Sequence, residues 1–295
     1  MNVKQALLDA GFNRIIALDG APYGGGTLLL AFWYYVAEKT PSSEGAWVHP
    51  YYYTSQKAYV AASGVVKAAQ EAGVGVALRD EIRVKPIFAR LPGFAQGRNT
   101  LSYIDGVGSR FHVQILLLEE VLPFDLTLEA EDHPLHCGEC RACIQACPTG
   151  ALDEEGFHRE KCLRNHMFGQ PVPEELRSHM GNRLMGCDEC QRCCPHNPAP
   201  QGETLTNWSL EAILTDTKTV CEAIKETMGV NMALPNRVLS QACLIAGCTG
   251  NQTLLPALEE LRQRPSPAVS EHAAWAAEEI AAAVNHSCVM DENTL

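Results

Sequence analysis

The alternation of apolar and polar residues divides the chain into a mixed first part and a helical last part. Near the start, the pattern predicts a short helix over 3–10, which ends before Gly11. Runs of apolar residues then predict buried strands in five segments: 14–18, 27–36, 74–78, 99–104 and 111–118. Strands and helices mixed in this way predict an α/β or α+β domain over the first 130 residues.

One long helix is predicted within this first part, over 54–72. Thr54 or Ser55 is expected to cap its start, and Gly73 follows its end. Its small residues recur at helical spacing and form one stripe: Ala58, Ala61, Ala62, Val65, Ala68 and Ala69.

After residue 207 the pattern becomes helical again. Helices are predicted over 235–246, 252–262 and 267–284, each with amphipathic spacing and brief connections. Short stacked helices of this kind are typical of a HEAT-like repeat. The tail over 286–295 is predicted to be flexible.

Composition and charge narrow the possible function classes. The 295 residues are 46% hydrophobic and 20% charged, which is ordinary for a globular chain that can bury a core. The 23 basic and 35 acidic side chains give a formal net charge of -12. That charge opposes non-specific binding to nucleic-acid phosphates, and it fits either a solvated surface or docking on a basic partner.

The chain lacks the sequence features of export or membrane insertion. Residues 1–8 have no charged start followed by a long apolar centre, and the apolar run over 27–37 is too short to cross a bilayer. A cytoplasmic location is therefore expected. In that reducing compartment, the 13 cysteines indicate metal or redox chemistry rather than disulfides.

The segment from Cys137 to Pro148 carries the decisive motif. Its spacing, C-x2-C-x2-C-x3-C-P, is that of bacterial ferredoxins. Three thiolates separated by two residues each can bind three irons of one cubane cluster. The fourth cysteine, Cys147, begins a segment that leads away from this cluster, so it is expected to bind a second one.

A second run, from Cys187 to Pro195, again offers a cysteine pair and a closing Cys-Pro. Two such runs predict two 4Fe–4S clusters that exchange a ligand between their loops. The first predicted ligand set is Cys137, Cys140, Cys143 and Cys194. The second contains Cys147, Cys187 and Cys190, and spacing leaves its fourth member open between Cys162 and Cys193.

Structural zinc in two four-thiolate sites is the alternative to iron–sulfur clusters. Zinc sites usually use two separated C-x2-C pairs, whereas a third cysteine after two more residues, with a later Cys-Pro, is typical of cubanes. Iron–sulfur clusters are therefore favoured. The other four cysteines are scattered, and ordinary core or surface packing is expected for them: Cys221, Cys243, Cys248 and Cys288.

The fold class predicted from these features is α+β with three consecutive domains and a tail. An α/β-type domain is expected over 1–130, and a ferredoxin-like domain with two clusters over 131–205. A HEAT-like helical domain is expected over 206–285. Residues 286–295 complete the chain as the flexible tail.

These motifs, in this order, resemble the epoxyqueuosine reductase family, most strongly over 97–197. Gly97-Arg98-Asn99-Thr100-Leu101 resembles the family's Gly-Lys-Asn-Thr-Leu element, and the second cysteine run closes with Cys194-Pro195-His196-Asn197. Cys162 falls where the family has a lone cysteine ligand. The resemblance therefore selects Cys162 over Cys193 as the fourth ligand of the second set.

The N-terminal part is shorter than in that family and diverges from it. The family's Arg-Asp-Tyr-His element corresponds to Lys57-Ala58-Tyr59-Val60 here. The family's proton-donating Asp has its nearest match in Asp80, without the Pro that follows it in the family. These departures fall on the cofactor and substrate side and leave the cysteine motifs intact.

The resemblance implies a cobalamin-dependent reductase that carries two 4Fe–4S clusters and acts on a small or tRNA-borne substrate. Ferredoxin or flavodoxin is the implied electron donor. Asp80 is then the candidate proton donor, and Tyr59, Arg98, Asn99 and His166 are the candidates on the corrinoid side. Plainer roles are also predicted: a surface charge for Asp80, a core aromatic for Tyr59 and a hydrogen-bonded structural residue for His166.

Two other functions are consistent with the sequence. The chain can be a cobalamin-free electron carrier whose degenerate N-terminal domain only docks on a redox partner. It can also be an RNA binder that uses the helical repeat. The net charge of -12 weakens this last function, and it equally disfavours tRNA as the substrate.

Overall fold

The structure is a computed structural model, and its contacts divide the chain into two compact units. It describes residues 1–36, 45–130, 137–199, 201 and 207–292, with side chains as far as residue 283. Unit 1 comprises residues 1–37, 50–146 and 190–202, and unit 2 comprises residues 38–49, 147–189 and 203–295. Both units draw on the cysteine-rich segment. The division into three consecutive domains stays a prediction.

The predicted helices and the strands at 14–18, 27–36, 74–78 and 111–118 are present in the predicted order, and shorter elements that were not predicted lie between them. The strands are β1 (Arg14–Asp19), β2 (Thr27–Tyr34), β3 (Trp47–Val48), β4 (Val76–Leu78), β5 (Phe94–Gln96), β6 (Ser102–Ile104), β7 (Phe111–Leu118) and β8 (Arg183–Met185). The helices are α1 (Val3–Asp9), α2 (Pro50–Glu71), α3 (Lys85–Phe88), α4 (Ala142–Gln145), α5 (Glu174–Arg177), α6 (Glu189–Arg192), α7 (Leu210–Thr215), α8 (Thr217–Met228), α9 (Pro235–Thr249), α10 (Leu255–Leu261) and α11 (Pro267–Glu292).

A four-stranded sheet with the order β1-β2-β7-β4 forms the centre of unit 1. Thr27 lies opposite Leu118 and Tyr34 opposite Phe111, so β2 and β7 pair over their full lengths. All three pairings in the sheet are antiparallel. Of the two predicted alternatives, the observed sheet is therefore of the α+β kind, and the α/β-type label for this region was wrong, because that class is built on parallel strands.

Helix α2 covers one face of this sheet with the predicted stripe of small residues. Ala58, Ala62 and Ala69 are fully buried and share a core with Leu29 and Leu116 of the sheet. Small side chains let the helix approach the strands closely. The other face of the sheet packs on aromatic residues, with Phe32 of β2 against Phe88 and Phe94.

The start of α2 differs from the prediction. The helix begins at Pro50, so Thr54 and Ser55 lie inside it and do not cap it. Their hydroxyls donate instead to the carbonyls of Pro50 and Tyr52, at 3.1 and 2.9 Å. Pro50 suits the first helical turn because its missing N–H has no partner there in any helix.

A hairpin of β5 and β6 replaces the single strand predicted over 99–104. Residues 97–101 form its turn, in which Thr100 has a positive φ of 63°. A β-branched residue rarely adopts this conformation. The Thr100 carbonyl accepts hydrogen bonds from Lys85 at 2.7 Å and from Gln96 at 3.3 Å. The turn is thus held in a strained shape that presents Asn99 to the interior of unit 1.

Unit 2 is built mainly from helices. Short parallel strands β3 and β8 pair in it, and α9 packs against α7, α8 and α11. Helices α7 and α8 were not predicted, although Val220, Ile224 and Met228 of α8 show helical spacing and are buried. Helix α11 continues to Glu292, so the predicted tail is helical that far. The HEAT-like repeat stays a prediction.

None of the helices in the described part of the chain combines the length and the apolar character that crossing a membrane requires.

Candidate cluster-binding site

The structure gathers the four cysteines of the first predicted ligand set around one pocket of unit 1. The pocket has an empty volume of about 320 Å3, which includes solvent at its mouth. Its cysteine lining is Cys137, Cys140, Cys143 and Cys194. Arg98, Asn99, Tyr103 and His196 also line it. Residues nearly 60 positions apart in sequence therefore meet at the same place.

Tight local turns set the positions of these cysteines. The Cys140 N–H donates to the Cys137 carbonyl at 2.9 Å, and Gly138 between them has a φ of 52°. Cys143 lies within the single turn of α4. On the distant segment, the Asn197 N–H donates to the Cys194 carbonyl at 3.0 Å. The two-residue spacing thus curls the chain so that successive thiols point at the same space.

The thiols of this set lie close enough to influence one another. Burial, together with the neighbouring thiols of Cys137, Cys194 and Cys140, raises the pKa of Cys143. Four thiolates crowded in this way repel each other unless cations neutralise them. Bound irons supply that charge, and thiolates are the ligands that hold 4Fe–4S clusters. The donor set therefore fits a cluster.

Tyr103 and Asn99 place hydrogen bonds beside the first ligand set. The Tyr103 hydroxyl lies 3.2 Å from Cys194 Sγ, and Asn99 Nδ2 lies 2.9 Å from the Tyr103 oxygen. Asn99 also donates to the Cys190 carbonyl at 3.0 Å. Burial, followed by the bond to Cys194, raises the pKa of Tyr103 far above its usual value. Tyr103 was not among the predicted site residues, because its position in the sequence bears no regular spacing to the cysteines.

A second group of hydrogen bonds fixes the segment after Cys194. Asn197 Oδ1 accepts from the N–H and hydroxyl of Ser109, at 2.7 and 3.1 Å. Asn197 Nδ2 donates to the Gln191 carbonyl at 2.6 Å, and Gln191 Nε2 donates to the Ser109 carbonyl at 3.0 Å. Gly108 must be glycine, because its φ is 82° and a Cβ would collide with Asn197. These contacts hold Asn197, and with it the segment after Cys194, against Gly108 and Ser109.

Three cysteines of the second predicted ligand set belong to unit 2: Cys147, Cys162 and Cys187. Cys147 Sγ lies 3.9 Å from the Thr149 hydroxyl, which donates to the Lys161 carbonyl at 2.7 Å. That bond ties the Cys147 segment to the residue before Cys162. Cys187 follows β8, and burial raises the pKa of its thiol to about 11.

Cys190 and Cys193, by contrast, belong to unit 1. Burial, with the nearby thiols of Cys143, Cys194 and Cys140, raises the pKa of Cys193 to about 11. Cys193 is therefore a neighbour of the first ligand set. The choice between Cys162 and Cys193 for the second set stays a prediction from the sequence.

The described residues do not include a binding site for a single metal ion. Within the described ranges, no three His, Cys, Asp or Glu side chains converge so that they could bind one metal ion. A cubane makes a different demand, because each thiolate binds its own iron.

The five residues predicted on the catalytic and corrinoid side lie in different surroundings. Asp80 is exposed in the turn after β4. Tyr59 is 46% exposed, so the expectation of a core aromatic was wrong. It lies one position past Ala58, and a step of about 100° turns it away from the buried stripe.

The other three candidates make defined polar contacts. Arg98 donates to the Gly138 carbonyl at 3.2 Å, and Asn99 bonds Tyr103, so both face the first cysteine pocket. His166 Nε2 lies 2.6 Å from the Glu160 carbonyl. This contact agrees with the hydrogen-bonded structural role predicted for His166 as the plainer alternative. The corrinoid roles of these residues stay predictions.

The cysteine-rich segment matches a known family model. Residues 136–197 match the 4Fe-4S double cluster binding domain. The range includes both predicted ligand sets. The chain therefore carries two 4Fe–4S clusters, as predicted.

Sequence relatives extend the similarity beyond this domain. An epoxyqueuosine reductase of Pseudomonas aeruginosa is 33% identical over 195 residues, which cover 61% of this chain and 52% of the relative. One from Escherichia coli K12 is 32% identical over 202 residues, 61% of this chain and 49% of the relative. The chain is therefore similar in sequence to epoxyqueuosine reductases over about three fifths of its length. It spans about half the length of these curated relatives.

Solved structures of epoxyqueuosine reductases share the fold. The enzyme from Bacillus subtilis matches with a TM-score of 0.68 at 19% identity, over 94% of this chain and 89% of that one. An epoxyqueuosine reductase with an epoxyqueuosine-modified tRNA stem loop matches with a TM-score of 0.67 at 18% identity, over the same shares of both chains. At such identities the likeness shows the fold alone.

Proposed function

We propose that the chain is an iron–sulfur reductase that acts on epoxyqueuosine in tRNA. The gathering of four cysteines from two distant segments around one pocket carries this proposal. The curated relatives bear the name epoxyqueuosine reductase, and one fold neighbour is described with an epoxyqueuosine-modified tRNA stem loop. The proposed substrate, epoxyqueuosine in tRNA, is taken from these relatives. We further propose that the chain works in the cytoplasm.

The proposed ligands are two sets of four thiolates. The first cluster is assigned to Cys137, Cys140, Cys143 and Cys194. The second is assigned to Cys147, Cys162, Cys187 and Cys190, on spacing and family resemblance. When bound, such clusters accept and release single electrons. The protein's part is to fix the thiolates in place, which the turn at Gly138 and the Asn197 contacts do for the first set.

An electron donor must supply these clusters. Ferredoxin or flavodoxin is the proposed class of donor, on the resemblance alone. Exposed Cys140 lies on the solvent side of the first ligand set. Exposure of a ligand shortens the distance that an electron travels from a docked partner, so the first set suits electron entry.

The five residues predicted on the catalytic and corrinoid side make other contacts or lie in solvent. Arg98 and Asn99 direct their hydrogen bonds to Gly138, Tyr103 and Cys190, and His166 bonds to a carbonyl. Asp80 and Tyr59 lie on the exposed surface. These five side chains do not fit a corrinoid cradle, so no step of the reaction is assigned to cobalamin.

Anaerobic purification followed by metal and activity assays tests the proposal. About eight iron and eight sulfide per chain are expected from two cubanes. Reduced protein is then incubated with tRNA that contains epoxyqueuosine, with and without added cobalamin, and the nucleosides are analysed by mass spectrometry. Conversion to queuosine is expected, and it should be lost in Cys143→Ser. Zinc in place of iron, or colourless protein, would refute the cluster assignment.

A cobalamin-free electron carrier is the second candidate function. The exposure of Asp80 and Tyr59 favours it, because a catalytic pocket would enclose its proton donor and its cofactor contacts. Cobalt retention and the absorption spectrum after cobalamin is added distinguish the two. A carrier would retain no cobalt, would leave epoxyqueuosine unchanged and would still exchange electrons with ferredoxin. Filter binding with tRNA at moderate salt tests RNA affinity separately.

A further inference from the structure

Tyr103 is a buried hydrogen-bond donor directed at a proposed cluster ligand. Its side chain is 3% exposed, and its hydroxyl lies 3.2 Å from Cys194 Sγ. His196 packs edge-on against its ring, with centroids 6.2 Å apart. Tyr103 is therefore a buried member of the lining of the pocket that also holds the first ligand set.

Asn99 fixes the direction in which the Tyr103 hydroxyl donates. The Cys190 carbonyl can only accept, so the Asn99 atom facing it at 3.0 Å must be the amide nitrogen. Leu101 N–H donates to the Asn99 oxygen at 3.3 Å, which agrees with that orientation. The same nitrogen faces the Tyr103 oxygen at 2.9 Å and donates to it. The Tyr103 hydroxyl therefore does not donate its proton to Asn99. Ser109 also bonds this oxygen, and the proton is directed at Cys194 Sγ, 3.2 Å away.

We propose that Tyr103 donates a hydrogen bond to the Cys194 thiolate and thereby raises the reduction potential of the first cluster, with Asn99 as the positioning residue. This inference rests on the ligand set proposed above for that cluster. Reduction adds one electron and one negative charge. A donor on a ligand sulfur stabilises the more negative state, so it favours reduction.

The proposed rise in the reduction potential of the first cluster depends on the hydroxyl group of Tyr103 and not on its ring. Phenylalanine keeps the shape of tyrosine and its contact with His196, so Tyr103→Phe removes the donor alone. Asn99→Ala keeps the hydroxyl but frees it to turn away from Cys194. Tyr51→Phe is a matched control, because its hydroxyl bonds His112 at 3.1 Å elsewhere in unit 1.

Redox titration of the anaerobic holoprotein, monitored by electron paramagnetic resonance, provides the test without substrate. Cys194→Ser first identifies which signal belongs to the first cluster. In Tyr103→Phe that signal should titrate at a more negative potential, while the other cluster keeps its midpoint. Asn99→Ala should shift it in the same direction by less. Tyr51→Phe should leave both midpoints unchanged.

The outcomes separate this inference from the proposed function. Unchanged midpoints in Tyr103→Phe, with about eight iron retained, would overturn the role of Tyr103 and leave the ligand sets standing. Loss of iron from Tyr103→Phe would show a structural role and would also overturn it. A first-cluster signal that survives unaltered in Cys194→Ser would instead overturn the proposed ligand set.

Discussion

The two units of the chain support their cysteines in different ways. In unit 1 the first ligand set lies among polar side chains from a hairpin and a strand, with Asn99 and Tyr103 bonded beside Cys194. In unit 2 the proposed ligands lie on loops: Cys147, Cys162 and Cys187. The loop after Cys162 is tied to a helix. Gln241 of α9 donates to the His166 carbonyl at 3.4 Å, four residues after Cys162.

This difference shows that similar ligand motifs can depend on unlike scaffolds. Hydrogen bonds made directly at a thiolate affect the charge of a cluster. Bonds between a loop and a buried helix affect the stability of the loop and only indirectly its ligands. We therefore expect substitutions near the first set to change redox behaviour, and substitutions around α9 and α11 to change stability.

Removal of one thiol from the first set should produce the largest effect. Cys143→Ser is expected to lower the iron content from about eight to about four per chain, because one cubane loses a ligand while the other is untouched. Iron and sulfide assays on anaerobic protein measure this. Cys221→Ser, in the helical part of unit 2, is the control and should keep about eight iron. Equal losses in both variants would contradict the assignment.

The fourth ligand of the second set is tested by a matched pair of substitutions. Cys162→Ser is expected to halve the iron content, and Cys193→Ser to leave it unchanged, because Cys193 is assigned to neither set. The same iron assay applies, with electron paramagnetic resonance to show which cluster survives. If Cys193→Ser loses a cluster and Cys162→Ser retains both, then the resemblance selected the wrong residue.

The cluster domain was predictable because its information is local in sequence. Cysteines two residues apart must lie in one turn whatever surrounds them, so their spacing alone indicated the chemistry. Pairing of the run at Cys137 with Cys194 also followed, from the exchange of ligands that such runs make. The structure brings those residues to one pocket.

Residues that act across long distances in sequence were not predictable in this way. Tyr103 meets Cys194 only because the hairpin and its strained turn at Thr100 are folded. Tyr59 was expected in the core, but a difference of one residue from Ala58 decides which side of a helix is buried. Periodicity located the strands of the central sheet and the helices α1, α2, α9, α10 and α11, but not α7 and α8. The side chains that surround the site depend on tertiary packing.

His272, which is buried in helix α11, should make the stability of unit 2 sensitive to acid. His272 Nε2 accepts from the Val172 N–H at 2.9 Å, which requires a neutral ring, and burial lowers its pKa to about 4. The unfolded chain therefore binds more protons than the folded chain between pH 6.5 and 4. Stability from this group is present above pH 6.5 and is lost as the pH falls towards 4. The expected loss between pH 7 and 5 is about 2 kcal/mol.

Anaerobic urea unfolding of wild type and His272→Gln at both pH values measures this loss. Glutamine does not titrate, so the variant should be less stable at pH 7 but should lose about 2 kcal/mol less on acidification than wild type. An identical pH dependence in the two proteins would show that His272 is not responsible.

The smallest effect is expected at Phe168, which joins the loop after Cys162 to helix α9. Phe168 is 49% exposed, and the guanidinium carbons of Arg164 and Arg237 lie 4.7 and 4.8 Å from its ring centre. Phe168→Leu removes both cation–π contacts and should cost about 1 kcal/mol in urea unfolding, without loss of iron. Phe157→Leu is the control, since Phe157 is 42% exposed and stacks with no cation among the described residues. A shifted cluster potential in Phe168→Leu would contradict the contrast between the units, because a contact in the helical scaffold would then influence redox behaviour directly.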